Sequence, residues 1–429
     1  MKKQNRRDFL KLSGMAIAGG FLGGSVALPD RNRLDINSDT LKVGLIGCGG
    51  RGSGAANQAL TADPNVILHA AADIFPDRLN SSIENLQNNH GERANVPDER
   101  RFIGFEAYQQ VIDSGVDVVL LTTPPSFRPL HMAAAVNAGL HVFCEKPMAV
   151  DGPGLRSIME SVRISKEKNL AVVAGFCWRY HEPKRAFFSR ILDGDVGEIR
   201  TIYNTYNTGE LWYRDRQPEW NDTEYKLRNW IYYNWLSGDH IAEQAVHSLD
   251  FMAWAMGDVT PVSVVGTGGR QVRTEERFGN IFDHFALVYE YPNGAKGFHF
   301  SRQQANCENS YKAEIFGENG FGTANVSRGI HRVEAGQTWD YSGENNNMYQ
   351  TQHDELFASI RQGGPINDGD FMAKSTMLAI MGRMAAYTGK KITWDEALNS
   401  DEVLGPEIHS LDQHLAVSDV ALPGVTPFR

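Results

Sequence analysis

Leu41-Lys42-Val43-Gly44-Leu45-Ile46-Gly47-Cys48-Gly49-Gly50-Arg51-Gly52 is the stretch that decides the fold. Its first six residues form an apolar run broken by a single lysine, the pattern of a buried strand. They lead straight into G-x-G-x-x-G, and an alanine-rich helix follows from about Ser53. A strand before and a helix after is the setting that a dinucleotide pyrophosphate requires. Gly47 permits the tight turn, Gly49 lets the backbone approach the pyrophosphate, and Gly52 lets helix and strand pack closely. Gly50 and Arg51 complete the loop, with the pyrophosphate expected on the helix N-terminus.

Outward from there, strand and helix alternate. A second strand over Val66–Ala72 ends at Asp73, whose carboxylate can accept hydrogen bonds from the adenosine ribose hydroxyls. It would repel a 2′-phosphate, so NAD is favoured over NADP, although Arg51 and Arg78 could counter that repulsion. Strands follow at Val116–Thr122, His141–Cys144 and Leu170–Ala174, with helices through His131 and over Leu155–Lys168. Such a series predicts an α/β domain with a doubly wound parallel sheet and its ligand at the carboxyl ends of the strands. Thr123, Pro124, His131, Glu145 and Lys146 stand at that edge and are expected to line the cofactor.

After Gly175 the pattern changes. A helix over Glu182–Leu192 and a strand over Glu198–Asn207 precede an aromatic, irregular stretch from Glu210 to Trp235. Long strands read at Pro261–Arg273, Ile281–Tyr291, Ala295–Arg302 and Tyr311–Phe316, with a hairpin turn at Pro292-Asn293-Gly294. Helices return at Gln350–Gln362 and Gly369–Gly389. The expected organisation is a Rossmann domain at 40–175, an α+β domain with a large, mainly antiparallel open sheet at 176–400, and a tail at 401–429.

The bulk numbers agree with two domains. A chain of 429 residues is too long for one compact core. The net charge of −10 argues against nucleic acid or an anionic membrane as partner. Cys48, Cys144, Cys177 and Cys307 show no metal-ligand spacing, and Cys48 in the glycine turn and Cys144 at a strand end read as small packed residues. No apolar run beyond residue 30 approaches the ~20 residues of a membrane span. Residues 1–30 pair Arg6-Arg7 with Phe9-Leu10-Lys11 and a weakly apolar run to Leu28, which looks like a twin-arginine signal peptide addressing the chain to the periplasm.

One later stretch carries the chemistry. Asp239-His240-Ile241-Ala242-Glu243-Gln244-Ala245-Val246-His247-Ser248-Leu249-Asp250, read as one helix, sets His240, Glu243, His247 and Asp250 on a single face. Its other positions are mostly apolar, so the helix should be buried and carry a titratable stripe inward. Burying such groups is costly unless they are paired or used.

These features together resemble the glucose–fructose oxidoreductase / inositol dehydrogenase (Gfo/Idh/MocA) family over roughly residues 40–390. The marks are the strand and glycine loop, Glu145-Lys146-Pro147 after a strand, and the Gly-Asp-His…His-Ser-Leu-Asp helix. The resemblance implies oxidation or reduction of a sugar or cyclitol hydroxyl with a nicotinamide cofactor. It also implies a homo-oligomer, dimer or tetramer, built through the C-terminal sheet. The family's catalytic lysine falls on Lys146, and its helical aspartate–histidine pair falls on Glu243 and His247. Glutamate replacing aspartate and the extra His240 depart from the family pattern.

In that setting His247, with an ordinary pKa of ~6.5, would take the hydroxyl proton. Glu243 would hold the imidazole, and Lys146 would stabilise the alkoxide. Arg179, Tyr180, Tyr206, Trp212, Tyr213 and His240 are the candidates to line a carbohydrate pocket, since flat rings stack on sugar faces. His240, Glu243 and His247 as metal ligands is a competing reading, set aside because it conflicts with a free base; no metal is expected. The leading expectation is an exported nicotinamide-dependent oxidoreductase acting on a secondary hydroxyl of a sugar or glycoside, its cofactor retained and recycled. The alternatives are an NAD-dependent redox-assisted glycoside hydrolase or lyase, and a non-catalytic sugar-binding protein.

Overall fold

The computed structural model describes residues 39–429, so the twin-arginine segment and the arm behind it lie outside the described residues. The first domain runs β1 (Leu41–Ile46), α1 (Gly50–Ala62), β2 (Val66–Asp73), α2 (Pro76–His90), β3 (Arg101–Ile103), α3 (Ala107–Asp113), β4 (Val118–Leu121), α4 (Arg128–Asn137), β5 (His141–Cys144), α5 (Gly152–Glu167) and β6 (Val172–Ala174). The strands pair in parallel in the order β3-β2-β1-β4-β5-β6. β4 is buried at every residue, as a strand covered on both faces must be. The order reverses between β1 and β4, which opens a crevice at their carboxyl ends. β3, three residues of mixed exposure, carries no apolar periodicity from which it could have been foreseen.

The second domain contains α6 (Glu182–Leu192), β7 (Ile199–Thr208), α7 (Asp222–Arg228), α8 (Asn234–Ser237), α9 (His240–Glu243), α10 (Val246–Ala255), β8 (Ser263–Gly269), β9 (His284–Glu290), β10 (Lys296–Gln303), β11 (Ser310–Gly317), β12 (Phe321–Asn325), β13 (Ile330–Ala335), β14 (Gln337–Asp340), α11 (Met348–Arg361), α12 (Gly369–Thr388), β15 (Ile392–Thr393) and α13 (Trp394–Asn399). Nine strands pair in the order β14-β13-β12-β11-β7-β10-β9-β8-β15. All pairs are antiparallel except β7 with β10. β12 to β15 go beyond the strands expected from the sequence; each is only two to six residues long, too short for a clear period, and β14 and β15 form the sheet edges.

Along β9 and β10 burial alternates strictly, Phe285, Leu287 and Tyr289 facing the helices while Phe298 and Phe300 face away. The helical face is covered by α10 and by α12, whose C-terminal three turns are buried all round. α12 also packs on α5, so one hydrophobic cluster spans both domains, with Met148 and Ile158 joining Met372 and Met377. Among the described residues no helix is long and apolar enough to cross a membrane.

The stripe-bearing segment is not one helix. After α9 the ladder is interrupted at Gln244-Ala245, where both amides donate to the His240 carbonyl (3.0 Å each). α10 then starts afresh. His240 and Glu243 lie on α9 while His247 and Asp250 lie on α10, so one continuous helix does not carry the four polar residues.

Candidate functional site

The glycine turn can be tested residue by residue. Gly47 has φ +99°, a conformation L side chains avoid, and a Cβ there would meet the Thr123 amide at 2.8 Å. A Cβ on Gly52 would sit 1.9 Å from the Gly47 carbonyl oxygen, so the β1–α1 packing admits no side chain. Beyond Gly49 and Gly50, by contrast, there is open space within 4 Å. α1 begins at that opening with no side-chain cap and no acid in its first turn. Its free N–H groups are a cradle of the right size and polarity for a pyrophosphate. The turn lines a cleft of about 740 Å³ that runs from Asp73 and Arg78 past Thr123, Pro124 and His131 to Glu243.

At the β2 end, Asp73 brackets the turn. One carboxylate oxygen accepts from the Cys48 amide (2.7 Å) and the other from the Phe75 amide (2.9 Å). The second domain reaches over here: Arg228 of α7 pairs with Asp77 (2.9 and 3.0 Å) and with Glu224 (2.8 Å), and stacks on Phe75 at 4.0 Å. Trp212, Arg214 and Trp230 thereby become part of the cleft wall. The aromatic stretch therefore covers the cofactor cleft, and its distal rings form a separate core with the C-terminal tail residues Ile408 and Leu415.

At the β5 end, Lys146 and Glu243 meet. The Lys146 ammonium donates to Glu243 Oε1 at 3.2 Å and also to the Glu243 backbone carbonyl, and both side chains are 14 % exposed. His247 sits beside them, its ring stacked 5.0 Å from Trp178 and edge-on to Phe176. Its Nδ1 is buried without a hydrogen-bond partner. Burial, then the charges of Lys146 and Lys184, hold this imidazole well below its ordinary pKa. Tyr206 lies near Glu243, and burial raises its phenol out of the titratable range. Gln303 of β10 donates to the side chain of Gln244, the residue after Glu243, at 3.1 Å. Thr123 and the stacked pair His131–Tyr108 (4.4 Å) complete the cleft floor. Burial, reinforced by Arg128, pushes His131 down to about 3, so it is neutral. Arg128 itself ties the Thr123 carbonyl (2.6 Å) to the Pro147 carbonyl, fixing the loops after β4 and β5.

Several residues expected at the site are placed elsewhere. Glu243 does not orient His247; its partner is Lys146. His240 bonds the Phe282 carbonyl and Ser301 Oγ, both at 3.2 Å, inside the sheet–helix interface. Arg179 is held by Asp250 (2.8 Å) and Asp258 (2.7 Å) and stacks on Phe371, so the stripe's Asp250 neutralises a buried guanidinium. The Tyr180 hydroxyl donates to Asp368 (2.7 Å) in the Rossmann core. Tyr213 packs on Tyr225 and Tyr232. Glu145, buried outside the cleft lining, accepts from Arg51 at 2.7 Å, while Arg51 lines the cleft and also bonds Gln58. Among the described residues no three His, Cys, Asp or Glu side chains converge as metal ligands.

Trp178, Lys184, Tyr349, Arg214 and Trp230 were missed. Trp178 adjoins Arg179 and Tyr180 in a 3-10 turn after β6, where a shift of one residue selects a different face. Lys184 sits over Trp178 and donates to His181 at 2.9 Å; burial lowers its amine to about 8. Tyr349 covers Arg51 from α11, distant in sequence.

Comparison with known proteins agrees with this geometry. Residues 41–176 match the model of the oxidoreductase family with NAD-binding Rossmann fold, GFO_IDH_MocA, and residues 186–321 match the GFO/IDH/MocA C-terminal domain. Inositol 2-dehydrogenase of Rhizobium meliloti (strain 1021) is 23% identical over 344 residues, covering 77% of this chain and 93% of that protein. Among solved structures, aldose-aldose oxidoreductase from Caulobacter crescentus, complexed with glycerol, superposes with a TM-score of 0.65 at 20% identity, covering 82% of this chain and 99% of the other. Levoglucosan dehydrogenase in complex with NADH and levoglucosan gives a TM-score of 0.66 at 19% identity over 83% and 99%.

Proposed function

The chain belongs to the GFO/IDH/MocA family of NAD-binding oxidoreductases, and we propose that it is an exported dehydrogenase acting on a secondary hydroxyl of a sugar or glycoside with a retained cofactor. The observation that carries this reading is the Lys146–Glu243 pair at the cleft wall, beside an imidazole with one sealed nitrogen. NAD, when bound, supplies the hydride acceptor. Lys146 donates to the hydroxyl oxygen and stabilises the charge that develops as its proton leaves. Glu243 positions the ammonium. With Nδ1 sealed, Nε2 of His247 is the nitrogen left to meet the hydroxyl and take its proton. Tyr206, Gln244 and Gln303 offer one ring and two amides for a polyol.

Export and retention rest on the paired Arg6-Arg7 signal and on the lack of a free NAD pool outside the cytoplasm. Exposed apolar residues on the open sheet face, among them Val265, Phe300 and Phe316, suit a homo-oligomer. The test is to denature purified protein, assay the nicotinamide released, and follow reduced-cofactor absorbance of native protein across sugars and aryl glycosides. Stoichiometric nicotinamide with net reduction by a sugar is expected. Glycoside cleavage without net reduction replaces dehydrogenation by redox-assisted hydrolysis, and failure to bind nicotinamide overturns the reading.

A further inference from the structure

Lys184 lies buried beside the candidate site without a part in the chemistry of Lys146 and His247. It is 2 % exposed, and lysines are almost never buried so far without a carboxylate partner. Among the described residues it forms no ion pair. Its ammonium donates to His181 Nδ1 at 2.9 Å and stands over the Trp178 ring at 5.7 Å. An imidazole and an indole offset only part of the cost of burying a cation, and burial brings the amine down to about 8.

The elements packed around it supply no counter-charge. The turn before α6 contributes Cys177 and His181, α10 contributes His247, and β13 contributes His331, while β12 carries no titratable side chain. Burial pushes the Cys177 thiol up to about 12, and His181 and His331 down to about 4, so these three are neutral near pH 7. Asp250 of α10 is held by Arg179. Of the two cations that act on His247, Lys146 is paired with Glu243 and Lys184 is not. Trp178 joins the two residues, since the indole beneath Lys184 also stacks on His247 at 5.0 Å.

We propose that Lys184 is a positioning residue for His247: its unpaired ammonium, held by His181 and seated on the ring that stacks on the imidazole, sets how tightly His247 keeps the hydroxyl proton. The O–H bond breaks as the bond from that hydrogen to Nε2 forms, and the imidazolium returns the proton to water before the next turnover. A neighbouring cation speeds that return and weakens the base, and loss of its charge strengthens the base. The inference rests on His247 being the base, as proposed above.

The test compares the full chain with Lys184→Met, which keeps a buried stem without the charge, and with His181→Leu, which removes the ammonium's acceptor at a half-buried position. Histidine labelled with ¹³C at ring Cε1 reports on His247 by NMR, its signal assigned by its loss in His247→Ala. In the wild type this signal is expected to step near pH 8, where Lys184 loses its charge, and kcat/KM for a sugar that gives net reduction should rise several-fold through the same pH. Both steps should vanish in Lys184→Met, whose rate at pH 7 should match the alkaline rate of the wild type. In His181→Leu they should move to lower pH, because the charged amine has lost its hydrogen bond. Steps that persist in Lys184→Met, that stay in place in His181→Leu, or that are missing from the wild type overturn the role of Lys184 and leave His247 as the base. Turnover near wild type in His247→Ala overturns the base itself.

Discussion

The two ends of the cofactor cleft are built on opposite electrostatic plans. At the β5 end two charges have close local partners, Lys146 with Glu243 and Arg51 with Glu145. At the β2 end Arg78 and Arg214 make no side-chain hydrogen bond among the described residues and lie over aromatic rings, with Asp73 the main opposite charge near Arg78. Paired charges in a confined site keep fixed geometry, which chemistry needs, whereas a guanidinium resting on a ring is held less rigidly. The ends also differ in how they join the domains. The β5 end uses one lysine against the short helix α9, while the β2 end uses a broad aromatic segment anchored by Arg228 on Asp77.

Mutations can break this contrast at either end. The largest effect is expected at the catalytic end, where Lys146→Ala and His247→Ala should each lower turnover by more than ~10²-fold while nucleotide still binds by calorimetry. Turnover near wild type would remove the residue from the mechanism. Gly52→Ala strikes between the ends. Its methyl group cannot fit against the Gly47 carbonyl, so the turn must shift, lowering NAD affinity by about tenfold or more and costing about 1–3 kcal/mol of stability. Unchanged affinity would mean that the turn tolerates a side chain and is not the pyrophosphate cradle. Arg228→Ala, at the β2 end, should raise KM for the nucleotide several-fold more than it lowers kcat, since it loosens a wall rather than the chemistry. An equal effect on kcat would show that the two ends are coupled.

Two pH predictions sharpen the comparison further. Because His247 is held well below its ordinary pKa, the acid limb of kcat/KM should fall well under pH 6.5. A limb at 6.5 would show an unperturbed base. His131 in the cleft floor and His299 under the sheet are pushed down to about 3 by burial. Both stay neutral in the folded state while the unfolded chain takes up protons below 6.5. Their contribution to stability is therefore complete above pH 6.5 and lost progressively as pH falls toward 3. Melting temperatures recorded from pH 7 to 4 should decline, and a flat profile would refute this.

How much of this the amino-acid order revealed differs between the same two regions. The glycine turn was legible because its chemistry is local: strand, turn and helix are contiguous, and each glycine has a steric reason within a dozen residues. The Rossmann sheet followed from apolar runs that survive in any context. The stripe was only half legible. Spacing put His240, Glu243, His247 and Asp250 on one face, but the break at Gln244-Ala245 is invisible to periodicity. Nor does spacing reveal that Asp250 faces a guanidinium or that His240 faces Phe282 and Ser301. The aromatic stretch was read by composition as a sugar pocket, and only its anchor on Asp77 places it over the cofactor.

By itself, then, the sequence determined the parallel sheet, the phosphate-binding turn and the presence of Lys146, Glu243 and His247, because backbone periodicity and glycine sterics act over short distances. Tertiary structure alone decided which of the charged groups neutralise each other. Arg179, Arg228 and Lys146 are the same kinds of residue as Arg78 and Arg214, and what separates an ion-paired cation from one resting on a ring is an acceptor delivered by a distant segment. Coulomb energy depends on separation in space, and no rule of residue spacing carries that distance.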